Sequence, residues 1–411
     1  MKVAVLGAGL TGLTVAALLA ERDHHVEVFE KEAEVGGLCR TRVIEGYVYD
    51  LHGGHVFNSK HQSVLDLAFS MLNKDEWHYS VRDARIQYEG KVIPYPFELS
   101  LAELPVEETI ACIIDFFGKK GRKPADFYHW LVWMFGRSIA EKYLIPYNTK
   151  IWKFDLRKMA IDWVDGKMPL PTKEEILYTC LTRDSTERKM PHSTFYYPLH
   201  GGIARFTESI LRKTKQVDVQ LHCPVEQIAH DGGTWEVNGK NGYEKIIWTI
   251  PLPKVAELMK PPSDVANAAR RLKWNSLTTF LFKSPERSTV SWMYFPEKHV
   301  PHHRIVYQGN LSPSACPPGM GSYTVEMTGH HEPGELADYH NLDNLLAHEY
   351  TEFAYVLFDK GHSVNAQIVK RFLVDRGIVP LGRFGEWQYY NMDICMKRAL
   401  ECAAELGAGG F

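Results

Sequence analysis

No apolar run in this 411-residue chain approaches the roughly 18 residues that a membrane span requires, so a transmembrane protein is not expected. Net charge is almost absent: 47 basic against 50 acidic residues leave a formal −3, which gives no field to draw in a nucleic acid or an anionic membrane surface. The seven cysteines are odd in number and widely spaced with no CxxC pair, a pattern that excludes a disulfide framework and fits a reduced, cytoplasmic compartment. Nineteen histidines are scattered and none makes a convincing ligand set with cysteines or carboxylates, so no metal site is expected. There is no internal repeat, and low complexity is confined to a short Gly-Ala-Gly-Gly near the C-terminus. The length supports two or three lobes, each with its own core.

The first forty residues organise the rest of the chain. Val3 to Leu6 is a short apolar run ending in Gly7, Gly9 and Gly12, with Leu10 and Thr11 between them, and an apolar helical pattern continues through Leu13, Ala16, Ala17, Leu18 and Leu19. That is strand, tight turn and helix: Gly7 permits the turn, Gly9 lets backbone approach a pyrophosphate, Gly12 lets the helix sit close to the sheet, and the helix N-terminus offers free N–H groups. A second strand, Val26 to Phe29, ends in Glu30, followed by Lys31; Glu30 stands eighteen residues past Gly12, where a carboxylate can accept both hydroxyls of an adenosine ribose. The glycine spacing alone is a weak signal, and its plain alternative is a helix start without a ligand. With the strand, the helix and the acid in place it reads as a dinucleotide site. Gly36, Gly37, Leu38 and Arg40 then form a second glycine turn with a cation, which simple nicotinamide domains lack. The expected cofactor is therefore FAD, with Glu30 on the ribose and Arg40 near the pyrophosphate.

Farther along, Tyr47 and Tyr49 suggest a strand leading to a loop tip at Gly53-Gly54, directly followed by His55. Residues 85 to 97 read as a hairpin turning at Glu89-Gly90. From about Leu101 to Tyr178 the pattern turns helical and aromatic. Spacing alone favours core packing for Tyr147, Trp152 and Trp163; interleaved with Lys150, Lys153 and Lys167 they could also line a pocket for a base and a phosphate. Residues 195 to 202 give another strand and glycine turn, then a helix to Lys213, a meander turning at Asp231-Gly232-Gly233, and a strand ending near Thr249. Val225, at the start of the meander, is placed to touch the adenine. Strands predominate from Ser276 to Met327. Arg304 lies in one of them, where an arginine is costly to bury unless it is paired or holds an anion. A charged helix pair is expected from about Pro333 to Lys360, and Gly382 with Gly385 makes a turn before the last helix.

These motifs together resemble UDP-galactopyranose mutase and its mutase-like relatives in the flavin amine oxidase superfamily, nearly end to end. The family's histidine loop is similar to Gly53-Gly54-His55, its PYNxKxW segment to Pro146 through Trp152, its FxxPxxGG element to Phe195 through Gly202, its arginine strand to Arg304 through Pro313, and its closing flavin motif to Gly382 through Asp393. The resemblance implies an α/β fold: a discontinuous Rossmann-like FAD-binding domain in three pieces (1–98, 195–254 and 346–411), an inserted mobile helical lobe (99–194) and an antiparallel-sheet substrate lobe (255–345).

It also implies an isomerase without net redox change, acting on a nucleotide sugar for cell-surface polysaccharide. In that chemistry reduced flavin N5 attacks the anomeric carbon of an NDP-hexose such as UDP-galactose, and pyranose and furanose forms interconvert. By the same resemblance the catalytic residues are His55, Trp152, Arg304 and Tyr389. Gly382, Arg383, Tyr390, Asn391 and Met392 join the FAD site, with His55 along the flavin. Tyr147, Asn148, Trp152, Lys167, Tyr294, Arg304, Asn310, Tyr355 and Tyr389 would contact substrate. Three departures bear on the sugar: Lys167 where relatives place an arginine, Tyr355-Val356 where many carry tyrosine-proline, and Asn391 where bacterial mutases tend to have aspartate. The other classes considered are a flavin oxidase or desaturase of the amine oxidase or protoporphyrinogen oxidase type, and a homologue that binds nucleotide sugar without turnover. A homo-oligomer is compatible with the sequence and not specified by it.

Overall fold

Five parallel strands carry the nucleotide-binding half, in the order Ile378–Pro380, Lys245–Trp248, Lys2–Leu6, His25–Phe29, Val217–Gln220. This computed structural model describes residues 1–118, 120–183, 193–214 and 216–407; residues 184–192 and 408–411, at the ends of the expected helical lobe and of the last FAD segment, lie outside them. The central strand is apolar from Val3 to Leu6 because both faces of a parallel sheet are covered. The helix Leu10–Ala20 is buried along all its residues, which is why it has no polar face: it packs against the sheet and against the C-terminal helix Met392–Gly407. The expected meander forms from Ile228–Asp231, Thr234–Val237 and Lys240–Tyr243.

The second sheet has seven strands in the order Leu345–Leu357, Lys273–Ser284, Gly321–Thr328, Arg304–Val306, Trp292–Tyr294, Ala84–Tyr88, Lys91–Pro94. It is antiparallel except where Trp292–Tyr294 runs parallel to Ala84–Tyr88. The hairpin around Glu89-Gly90 forms as expected and extends this sheet. One sequence expectation changes here. The charged stretch expected as a helix pair from Pro333 to Lys360 holds two short 3-10 turns, Pro333–Leu336 and Leu342–Asn344, and then a 13-residue strand, Leu345–Leu357. That strand lies at the sheet edge along Lys273–Ser284. Glu352, with His348 and Tyr350, is exposed on one face of this edge strand and Glu349 is half-buried on the other, a spread of charge that imitates the polar face of a helix.

The inserted segment is helical as expected: Val106–Phe117, Phe127–Phe135, Ile145–Trp152 and Lys173–Thr182. Local chemistry sets the helix starts. Glu107 and Glu108 occupy the first turn of one, Asp126 accepts from the His129 N–H at 3.1 Å in the next, and Thr172 with Glu175 completes a capping box in the last. Phe127, Trp130, Phe135 and Trp163 form the lobe's aromatic core. Among the described residues no helix is long and apolar enough to cross a membrane.

Candidate functional site

One cavity of about 950 Å³ runs from the glycine turns to the inner face of the second sheet. At its nucleotide end two glycine turns meet backbone to backbone. Gly9 and Gly36 form a bridge, Gly36 N–H donates to Ala8 O at 2.8 Å, and a Cβ on Gly37 would lie 3.0 Å from Gly9 Cα. A Cβ on Gly12 would stand 2.0 Å from Gly7 O, so helix and turn touch only because that side chain is missing. Glu30 closes the strand His25–Phe29; its carboxylate accepts from Ala8 N–H at 2.8 Å and Glu32 N–H at 3.0 Å. Gly7, Gly9, Leu10, Thr11, Gly12, Glu30, Lys31, Gly37, Leu38, Arg40 and Val225 all line the cavity. Arg40 donates from Nε to Gly37 O at 3.2 Å and lies 3.4 Å from Glu32.

The closing turn caps this end. Gly382 adopts φ +76°, and a Cβ there would meet Thr11 Oγ1 at 2.3 Å. Gly382 itself does not line the cavity; Arg383, Tyr390, Asn391 and Met392 do. Arg383 donates to Ala354 O at 2.6 Å and to Tyr390 O at 3.2 Å, and its guanidinium lies 4.9 Å from the Tyr389 ring centre. Lys167 reaches this wall from the helical lobe, its Nζ 3.0 Å from Asn391 Oδ1 and 4.8 Å over Tyr389. Burial pushes the Lys167 ammonium down to about 8.

At the other end, the loop after Leu51 brings His55 to the cavity, where its Nδ1–H donates to Gly53 O at 2.8 Å. Burial pushes its imidazole down to about 4, against the opposing pull of that bond, so the ring is neutral near pH 7. Arg304 is paired: Glu326, fully buried on the adjacent strand, accepts from Nε at 2.8 Å and Nη2 at 2.5 Å. Burial alone would raise the Glu326 carboxyl, yet Arg304 and then His303 hold it down to about 2. Tyr355 and Tyr389 line the cavity beside them, backed edge-on by Trp152 at 6.3 and 6.0 Å.

Residues 10–336 match the family model described as flavin containing amine oxidoreductase. The chain belongs to that family. It is 26% identical over 307 residues to a 4,4'-diapophytoene desaturase (4,4'-diaponeurosporene-forming) of Staphylococcus aureus strain MRSA252, across 64% of this chain and 57% of the desaturase. This chain thus spans little more than half the length of that relative. Among solved structures, that of reduced UDP-galactopyranose mutase superposes with a TM-score of 0.88 at 24% identity, covering 100% of this chain and 94% of the other. A putative protoporphyrinogen oxidase from Exiguobacterium sp. 255-15 follows with a TM-score of 0.76 at 14% identity, covering 99% of both chains. The fold expected from the motifs is the fold these structures share.

The cofactor of this family member is FAD. The chain's own features fit it: the two abutting glycine turns leave a cradle that side chains would fill, the N-terminus of an eleven-residue helix faces it, and Glu30 stands at its rim.

Not every expected substrate residue reaches the cavity of this family member. Asn148 donates to Leu144 O at 2.7 Å and accepts from Trp152 Nε1 at 3.2 Å, inside its own helix. Asn310 spends its amide on the carbonyls of Ser288 and Val290. Tyr147, Tyr294, Trp152 and Lys167 stand behind the lining: Tyr147 stacks on Tyr143 at 5.5 Å and meets Tyr294 edge-on at 5.5 Å, and Lys167 lies behind Asn391 and Tyr389. Three lining or supporting residues escaped the sequence reading. Glu326 was legible as an acid in an apolar strand that could pair with Arg304. His52, 2.6 Å from Thr351 Oγ1 and 3.1 Å from the Arg40 guanidinium, was hidden by its glycine neighbours. Arg82 stands in a charged run with Asp83 and Arg85, and no sequence signal sets it apart from them.

Proposed function

We propose that this amine oxidoreductase homologue is a nucleotide-sugar mutase that uses reduced FAD to interconvert pyranose and furanose forms of an NDP-hexose, with UDP-galactose the first to test. The observation that carries the reading is the polar chamber at the far end of the cavity, where Arg82, Arg304, Tyr355 and Tyr389 converge. Reduced FAD, when bound, supplies the nucleophile for the anomeric carbon. Guanidinium and phenol donors suit a departing diphosphate, whose oxygens they can hold as charge develops. Neutral His55, its Nδ1–H spent on Gly53 O, presents Nε2 as an acceptor and adds no charge beside the flavin. The Trp152 and Trp163 wall behind Tyr389 keeps that side of the chamber dry. The shared fold with UDP-galactopyranose mutase supports the reading.

A second reading, a flavin desaturase or oxidase, is favoured by the desaturase relatives. It asks for an apolar channel beside the flavin, and the arginines and tyrosines of the chamber argue against that. Incubation of the FAD-loaded protein with dithionite and UDP-galactose, other UDP-hexoses or GDP-hexoses, followed by chromatography, tests the two. A furanose product formed only with reduced flavin supports the mutase. Oxygen consumption with an amine or a polyene, and no furanose, overturns it.

A further inference from the structure

Among the described residues five arginines line the cavity, and they differ in how their charge is met. Arg40 lies 3.4 Å from Glu32, Arg42 3.8 Å from Glu349, and Arg304 2.5 Å from Glu326. Arg82 and Arg383 have no carboxylate within ion-pair distance among the described residues. Arg383 leaves its Nε–H buried without a partner among the described residues but spends both terminal nitrogens on the carbonyls of Ala354 and Tyr390, which makes it a strut of the cofactor end.

Arg82 has no such explanation. One terminal nitrogen donates to the Tyr294 hydroxyl, while its Nε–H is buried with no partner among the described residues. The nearest acid in sequence, Asp83, is taken by Arg85 at 2.6 and 3.0 Å. The guanidinium lies over Trp292 at 4.9 Å and Tyr95 at 5.8 Å, so aromatic faces orient it without cancelling its charge. Tyr294, the guanidinium's one hydrogen-bond partner among the described residues, pairs directly with Arg304 across the strands. Arg82 therefore stands next to Arg304, whose own charge Glu326 cancels, and brings to this side of the cavity a positive charge that no described carboxylate meets. A partly buried guanidinium without a counter-ion costs free energy that an arriving oxyanion would offset.

We propose that Arg82 is the residue that holds the substrate's oxyanion, a phosphate or a sugar carboxylate, and that Tyr294 aims it. The proposal rests on the nucleotide-sugar reading above and adds a residue that supplies uncompensated charge beside Arg304 and the consequence that the substrate is anionic at this position.

The test is ligand binding to the oxidised, FAD-loaded protein by titration calorimetry, with no turnover required. UDP, uridine, inorganic pyrophosphate, UDP-glucose and UDP-glucuronate are the probes, and Arg82→Met, Arg82→Lys and Tyr294→Phe are the variants. If the anion is the phosphate, Arg82→Met weakens UDP and pyrophosphate at least about thirtyfold and leaves uridine unchanged. If it is a carboxylate, UDP affinity is kept and the preference for UDP-glucuronate over UDP-glucose is lost. Arg82→Lys should fall between, because a point charge replaces a planar fork. Should Arg82→Met fail to retain FAD, Tyr294→Phe gives the answer through a several-fold loss for the same anion. Unchanged binding of every probe in the variants overturns the assignment of Arg82 while leaving the mutase reading intact. Failure of the wild-type protein to bind any of the nucleotides overturns both.

Discussion

Arg304 and Glu326 sit opposite one another on adjacent antiparallel strands, and one carboxylate oxygen of Glu326 accepts from both Nε and Nη2 of the guanidinium. The other oxygen accepts from Gly54 N–H at 3.2 Å, which ties the loop carrying His55 to the same pair. Glu326→Gln leaves Arg304 buried without a counter-charge and should lower stability by about 3–5 kcal/mol. The sign with pH comes from a folded carboxyl held near 2 against an ordinary 4.5: the stabilisation is complete above 4.5 and is lost as pH falls toward 2. Urea unfolding of wild type and variant should show a wide gap at pH 7 that narrows below pH 4.5. A gap of equal width at pH 7 and pH 3 counts against the pair.

His55 titrates in the opposite sense to a salt-bridged histidine. Its folded imidazole is pushed by burial to about 4 from an ordinary 6.5, so between those values the unfolded chain takes a proton that the folded chain refuses. Stability from this group is full above pH 6.5 and falls as pH drops toward 4. His55→Gln should flatten that part of the wild-type stability profile, measured by urea unfolding in steps from pH 7 to pH 4. An unchanged slope means the ring is not held neutral.

Gly9 and Gly12 should separate cofactor contact from folding. A Cβ on Gly12 would be 2.0 Å from Gly7 O, a backbone atom that cannot swing aside, whereas one on Gly9 would find nothing nearer than Gly37 Cα at 3.8 Å. Gly12→Ala is expected to cost about 1–3 kcal/mol of stability and to lose FAD. Gly9→Ala, at an ordinary φ of −73°, should fold to within about 0.5 kcal/mol of wild type and still bind FAD weakly, because its methyl lines the cradle. The readouts are the flavin-to-protein absorbance ratio and chemical unfolding; full flavin occupancy in Gly9→Ala would show that the cradle is not where the pyrophosphate lies.

The nucleotide half was legible because its signals are local. Val3 to Leu6, the glycines and Glu30 fall within thirty residues, and each acts on backbone close to it. The inner face of the second sheet was not, because its pairings are made by strand register. Arg304 meets Glu326 across 22 residues, and Arg82 meets Tyr294 across 212. Nothing near Arg82 distinguishes it from the solvated charges beside it. Asn148 and Asn310 failed to reach the cavity for a related reason: a motif fixes which residues occur together, but a helix or a turn can claim an amide for its own carbonyls. Leu345–Leu357 misled by pattern, since an edge strand can carry charges at spacings that a helix also allows.

Lys167 offers the sharpest pH test of the chamber. Burial lowers its ammonium from an ordinary 10.5 to about 8, while Nζ is held between Asn391 Oδ1 and the Tyr389 ring. The folded chain therefore gives up this proton earlier than the unfolded chain, so this group's contribution to stability rises with pH between 8 and 10.5, while its charge is present only below about 8. If that charge helps hold the substrate's diphosphate, isomerisation should decline as pH rises through 8. Lys167→Arg should keep its rate to pH 9.5, since a guanidinium stays protonated there. Lys167→Met should be slow at every pH, by roughly tenfold or more, as expected for loss of a charge-assisted hydrogen bond. The comparison needs the rate of the reduced-flavin reaction at pH 7 and pH 9.5 for three proteins of equal FAD content. A wild-type profile that stays flat through 8, with Lys167→Met as fast as wild type, would assign Lys167 to packing against Tyr389 alone.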